Sequence, residues 1–457
     1  MACPRPLALT LKTEERGKPP FLTCDPSEGG LDVRGDKPPV FLSRVQLRMS
    51  QRRLSTMERA VVGVLALAVL VSGLYFARKS GANPETYGND FNVYYHAARE
   101  VMGGGDPYQH SLGDWTPYIY PPLLAELIVP LALLPLPVAA YFWFLVNAAS
   151  IVAAAWMSAR LANGNKEPDS PTTAWRAALA GCAVLLVLRF VLDTFHLGQV
   201  NAVVAALAVA HVYLYARGRK ALSAVALVVA VSIKLTPALL LLYHIAKLRL
   251  KFAVACAGLL VAVTALSFLP FGPRGGTDAF QTFWNRTVKN EQGYDFAYSG
   301  NQSLRGAIAR LAGQSNESRL SSEGASRRPG DSATLLISIV LLALAVLAAV
   351  RARSERAAAA PFFCCLVLLS PLSWKAHYVI LILPAALLLS VAKTSGKARN
   401  LIAVTTLGLA FVLFNLTSPH VIGLAAAEWA DAHSLIFAGA LLIFIACAAG
   451  TQLADRS

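Results

Sequence analysis

The chain has 457 residues, 56% of them hydrophobic and only 15% charged, with a formal net charge of +15. A soluble domain carries about 25% charged residues, so water is not the main solvent of this chain. The basic residues stand in short runs between apolar stretches, where they set membrane orientation rather than bind nucleic acid.

Residues 1–57 are polar, rich in Pro, Gly and Arg, and lack sustained periodicity, which predicts a disordered cytosolic tail. Met49 and Met57 are alternative starts just ahead of the first apolar segment, which resembles a signal-anchor. Residues 58–452 read as one polytopic domain, because apolar runs near the roughly 20 residues needed to cross a bilayer recur along it. The expectation is an all-α integral membrane bundle of ten full spans plus one short re-entrant pair. Basic loops around Arg217, Lys247, Arg351 and Lys393 are assigned to the cytosol. The re-entrant pair falls between Lys220 and Lys247, where one apolar stretch flanked by two basic loops is interrupted at Lys234 and Pro237.

This layout places four polar segments on the outer face: residues 78–120, 193–199, 271–332 and 370–377. The third carries a Ser-, Gly- and Arg-rich insert, 313–331, expected to be flexible. The seven cysteines show no metal-ligand or redox spacing and lie mostly in apolar runs, as buried structural residues do.

The unusual residues collect in the outer segments. Asp90 opens Asp90-Phe91-Asn92-Val93-Tyr94-Tyr95; a carboxylate at a loop boundary in a partly dry cleft suits a general base, and equally suits a helix cap. His196, Gln199 and Asn201 lie together in the second segment, placed either to bind sugar hydroxyls or to cap a helix. Lys234 is a charge inside a broken span and needs a partner, which a lipid phosphate or an interface would supply. Arg305 can clamp a phosphate or stay solvated. Tyr94, Tyr95, Trp115, Tyr118, Tyr120 and Trp374 form either a sugar-stacking rim or an interfacial belt. Lys375 and His377 stand at the mouth of a late span.

The order Asp90-x-x-Val93-Tyr94-Tyr95, Gly105-Asp106-Pro107-Tyr108, Tyr120-Pro121-Pro122, Leu197-Gly198-Gln199-Val200-Asn201, Lys234-Leu235-Thr236-Pro237, Asn301-Gln302-Ser303-Leu304-x-Gly306 and Ser370-Pro371-Leu372-Ser373-Trp374-x-x-His377 resembles glycosyltransferase family 87, of the multi-span glycosyltransferase C superfamily. The resemblance runs from Asp90 to about Pro384. It implies transfer of a hexose, mannose in most of the family, from a polyprenyl-phosphate donor to a lipid or glycan acceptor at the outer membrane face, with inversion. Asp90 would be the base, and His377 would orient it or contact the donor phosphate. Lys234, Arg305, His196, Gln199, Asn201, Tyr94, Tyr95, Tyr120, Asn301, Gln302 and Lys375 are the candidate donor or substrate contacts. No cofactor is required and no metal ligands are assigned; the sequence leaves open whether a divalent ion assists. The rival readings are a transporter or lipid flippase, which also uses broken helices, and a non-catalytic partner in envelope assembly.

Overall fold

The computed structural model describes residues 56–82, 90–109, 117–164, 173–290, 293–314, 330–394 and 396–450. The N-terminal tail up to residue 55, Trp115 and most of the Ser-rich insert lie outside them. Among the described residues every regular element is helical, as expected where lipid cannot satisfy backbone groups and each segment must bond to itself. Residues Gly63–Ser457 make up one compact unit.

Six helical segments are long and apolar enough to span a membrane: Gly63–Ala82, Leu136–Ala162, Leu250–Phe271, Asp331–Arg351, Lys375–Lys393 and Lys397–Leu416. Two bent pairs, Ala174–Leu186 with Leu188–Leu197 (68°) and Leu424–Ala432 with Leu435–Gly450 (53°), raise the number to eight if each counts once. Length and apolarity alone thus define six to eight spans among the described residues, where the sequence reading counted ten. The difference lies in short helices such as Asn201–Ala216 and Glu355–Leu368, with 16 and 14 residues.

Each break in a helix has a local cause. At the first bend the freed backbone groups are taken up by Asn415: its Oδ1 accepts from the Arg189 N–H at 3.1 Å and its Nδ2 donates to the Leu186 carbonyl at 2.9 Å. The Lys220–Ile233 helix stops where Lys234 turns extended (φ −152°, ψ 127°), and a 3-10 turn, Thr236–Leu239, restarts the chain. Pro237 lies in that turn, and its missing N–H and the restriction it puts on the residue before it prevent a continuous helix.

The first polar segment contains the helix Asp90–Met102. Its apolar face buries Phe91, Tyr94, Tyr95 and Ala98, and Phe91 stacks on Trp143 of the Leu136–Ala162 helix at 5.6 Å. Pro122–Ala132 is a separate short helix before that span, and the chain breaks at residues 133–135, around Pro135. The third polar segment carries the helix Gly272–Phe283, a π turn at Trp284–Val288 and the helix Leu304–Leu311.

The basic loops include a well-defined ion pair. Arg249 donates to both Glu355 oxygens, at 2.7 and 2.5 Å, Tyr243 donates to the same carboxylate, and the guanidinium lies over the Tyr215 ring at 4.5 Å. Glu355→Gln should therefore cost about 2 kcal/mol at neutral pH, since it leaves a partly buried guanidinium without its counter-charge. Thermal melting in detergent should show this loss; a variant that melts with wild type would remove the charge-pair explanation.

Candidate active site

The Leu188–Leu197 helix ends at Gly198, in a left-handed conformation (φ 66°). A side chain there would put a Cβ 2.6 Å from the Phe76 ring and 2.9 Å from Phe91 Cβ, so both conformation and close approach require glycine. The Gly198 carbonyl accepts from Trp143 Nε1 at 2.7 Å. The turn it makes sets Asn201 as the first residue of the Asn201–Ala216 helix.

Asn201 meets the break in the next helix. Lys234 Nζ donates to Asn201 Oδ1 at 2.7 Å and lies 2.8 Å from His377 Nε2. Asn201 Nδ2 donates to Gln199 Oε1. An ammonium group can only donate, so with Lys234 charged His377 Nε2 is the acceptor of this contact. Lys234 retains one N–H that no described residue engages.

Lys234 and His377 line a cavity of about 300 Å³ together with Tyr120, Arg286, Tyr294 and Trp374. Tyr120 accepts a hydrogen bond from the Tyr94 hydroxyl at 3.1 Å. Burial, then Tyr120 and Asp90, push the Tyr94 phenol well above its ordinary value, so it stays protonated. Asp90 is the first residue of its helix, half-buried, and its charge acts on Tyr94, Lys79 and Lys234. A carboxylate at a helix start is favoured by the macrodipole, so the cap reading and the base reading are compatible.

The remaining candidates fall in different places. His196 lies beside Lys79, which donates to its carbonyl at 2.9 Å and approaches its Nε2 at 3.4 Å. Tyr95 turns away from the cavity and donates to the Leu134 carbonyl at 2.9 Å. Arg305 pairs with Asp331 at 2.9 Å and covers the Phe296 ring at 3.6 Å. Lys375 pairs with the buried Asp431 at 2.5 Å, and Arg189 lies 3.9 Å from the same carboxylate.

Asn301 and Gln302 form a clasp behind the cavity wall. Asn301 is fully buried: Nδ2 donates to the Phe296 and Pro371 carbonyls at 3.0 and 3.1 Å, and Oδ1 accepts from the Ser303 and Ser373 N–H groups at 3.2 and 2.9 Å. Gln302 donates to the Ser299 and Asp431 carbonyls at 2.7 and 2.8 Å, and its own carbonyl accepts from Tyr378. Gly306 belongs to the same unit, because a Cβ there would lie 2.6 Å from the Asn301 carbonyl. The clasp ties the third polar segment to the stretch Pro371–Tyr378 that carries His377. Asn301→Ala should cost about 3 kcal/mol, since it strands several buried backbone groups at once. Melting temperature and donor KM should move together; a variant with wild-type melting would show that the clasp is dispensable.

Sequence reasoning missed Arg286, Asn290 and Tyr294 in the cavity wall, and Asp431 as the partner of Lys375. Arg286 sits in a π turn, a feature found often at functional sites, but nothing in the residues around it announces one. Asp431 lies beside an apolar run, one turn after Glu428, and the cost of a buried charge was a signal that it had a partner.

The fold and site together define a membrane-embedded helical protein with a lysine, an imidazole and an arginine around one polar cavity, an arrangement suited to an anionic group. The profile of Glycosyltransferase family 87 matches residues 118–373. A polyprenol-phosphate-mannose-dependent alpha-(1-2)-phosphatidylinositol pentamannoside mannosyltransferase of Mycobacterium tuberculosis is 30% identical over 336 residues, 71% of this chain and 70% of the relative. A polyprenol-phosphate-mannose-dependent alpha-(1-2)-phosphatidylinositol mannoside mannosyltransferase of Mycolicibacterium smegmatis is 27% identical, over 72% of this chain and 75% of its own length. The chain belongs to glycosyltransferase family 87.

Proposed function

We propose that this protein is a membrane-bound hexosyltransferase that moves mannose from a polyprenyl-phosphate donor to a lipid-linked glycan acceptor, a phosphatidylinositol mannoside or a molecule like it. Membership of the family and the mannosyltransferase names of its relatives support this reading over a transporter. The observation that carries it to a site is the contact of Lys234 with His377 beside a cavity, in a chain whose acid Asp90 acts on the same lysine.

In the proposed reaction the acceptor hydroxyl oxygen attacks the anomeric carbon, and the bond from that carbon to the phosphate oxygen breaks. The hydroxyl proton passes to the Asp90 carboxylate, and the polyprenyl phosphate leaves with the electron pair. Lys234 directs its uncommitted N–H to the departing phosphate, while His377 and Asn201 hold the ammonium in place. One displacement gives inversion and needs one carboxylate rather than the pair of a glycosidase.

The finer topology belongs to the same proposal. Counting Asn201–Ala216 and Glu355–Leu368 with the eight longer segments gives ten spans, and Lys220–Ile233 with Thr236–Ala246 makes the re-entrant pair. At 1.5 Å per residue these two helices are about 24 and 21 Å long, short of the roughly 30 Å hydrocarbon thickness, so the bilayer thins or flanking side chains snorkel around them. The N-terminus and the basic loops then face the cytosol and the cavity faces outward. Purified protein given radiolabelled polyprenyl-phosphate-mannose and a phosphatidylinositol mannoside fraction should form a more polar glycolipid. Failure to form any mannosylated product from this donor with any membrane acceptor extract would sink the proposal.

A further inference from the structure

Away from the cavity, a second set of polar side chains is enclosed where three helical segments run side by side. His211, Ser223 and His244 are each fully buried, and they come from Asn201–Ala216, Lys220–Ile233 and Leu240–Ala246 respectively. The Ser223 hydroxyl donates to the His211 carbonyl at 2.9 Å, and His211 Nδ1 lies 3.0 Å from the Ser223 carbonyl. On its other side, His211 Nε2 is 2.9 Å from His244 Nε2. Two ring nitrogens that close hold one proton between them, because two lone pairs or two N–H groups would repel. His244 Nδ1 has no hydrogen-bond partner among the described residues, so the bond to His211 is the one its ring makes there. Tyr215 and Phe252 pack on the His244 ring, with centroids at 4.8 and 4.5 Å.

The same three segments carry the contacts of the cavity at their other ends. Asn201 opens the first, and Lys234 stands between the end of the second and the 3-10 turn Thr236–Leu239 that leads into the third. Asn201 and His211 are ten residues apart in the chain, Ser223 and Lys234 eleven, and Lys234 and His244 ten. At 1.5 Å of rise per helical residue the first two arms are about 15 to 17 Å long. Arms of nearly equal length, joined at both ends, leave little slack, so a slide of one helix at the histidines reappears at the lysine. Sliding is opposed because it strands a buried ring nitrogen without its partner. We propose that this buried staple sets the axial register of the three arms, and that His211 and His244 are positioning residues for Lys234. This rests on the function proposed above, in which the lysine meets the departing phosphate. Neither histidine lines the cavity, so their effect on turnover travels through the arms.

A double-mutant cycle on the full-length protein tests the assignment. His244→Phe keeps a ring in place and removes its hydrogen bond; kcat should fall about tenfold with donor KM near wild type, the cost of a slightly misplaced group. In a Lys234→Met background the same substitution should change kcat by less than about twofold, because the residue it acts through is gone. His244→Gln, whose amide can donate or accept toward His211, should keep most of the rate. A tenfold loss that persists without the lysine, equal losses for Phe and Gln, or no loss at all overturns the proposal. If His244→Phe does not fold, Ser223→Ala enters the same cycle, with an expected loss of about threefold that also vanishes without the lysine. A second measurement needs no turnover. Reductive methylation of Lys234 by formaldehyde, followed by mass spectrometry, should be about threefold faster in His244→Phe, because the lysine's bonds to Asn201 and His377 are weakened. An unchanged rate overturns the proposal, whereas a protein that shows the change but transfers no sugar counts against the transferase reading alone.

Discussion

Asp90→Asn is expected to lower kcat by about 10³-fold while donor KM stays within a small factor of wild type, the magnitude general-base catalysis usually supplies. Asparagine matches aspartate in size and can still accept hydrogen bonds at the start of the Asp90–Met102 helix, so the capping role largely survives. What it cannot do is take the acceptor's proton. The substitution also removes a negative charge that acts on Lys234 and Lys79, so a modest change in donor affinity accompanies the loss of turnover. Steady-state rates with radiolabelled donor, read beside size-exclusion profiles, separate the effects. A well-folded variant with full turnover would exclude Asp90 as the base and reduce it to a cap.

Lys234→Met is the second large effect, an expected fall in kcat of about 10²-fold, comparable to the loss of one preorganised donor at a developing anion. Methionine fills similar volume, so the change isolates the ammonium group. In its absence the His377 Nε2 and Asn201 Oδ1 acceptors, 2.8 and 2.7 Å from the lysine nitrogen, both lose their donor. Two roles for the lysine predict different chemistry. If it stabilises the departing phosphate, a donor with a better leaving group should recover much of the lost rate. If it only organises His377, the deficit should be the same for every donor. The first outcome is expected, because Lys234 itself lines the cavity.

The sequence disclosed the interruption at Lys234 because a charge and a proline fall within one apolar run, and both oppose a continuous buried helix. It also offered His377 as catalytic and Lys234 and Asn201 as substrate contacts, but not their mutual contact, since 33 and 143 residues separate the lysine from its two partners. Asn301 and Gln302 were harder to read. A buried amide can face a sugar or hold a backbone, and only the fold shows that their donors and acceptors are engaged by protein. The same limit applied to Arg305 and Lys375, whose partners Asp331 and Asp431 stand 26 and 56 residues away. The span count stays coarser for another reason: helices of 14 to 16 residues fall between a buried core helix and a membrane crossing, and composition does not separate the two.

Because Lys234 directly follows the last residue of a regular helix, its bearing on His377 is a matter of phase. Each residue added to or removed from Lys220–Ile233 would rotate the lysine by about 100° around the helix axis and shift it about 1.5 Å along it. Homologous proteins that keep this contact should therefore tolerate substitutions along that helix far more readily than a change of one residue in its length. Insertions of variable size should gather instead beyond its basic start, near Gly218.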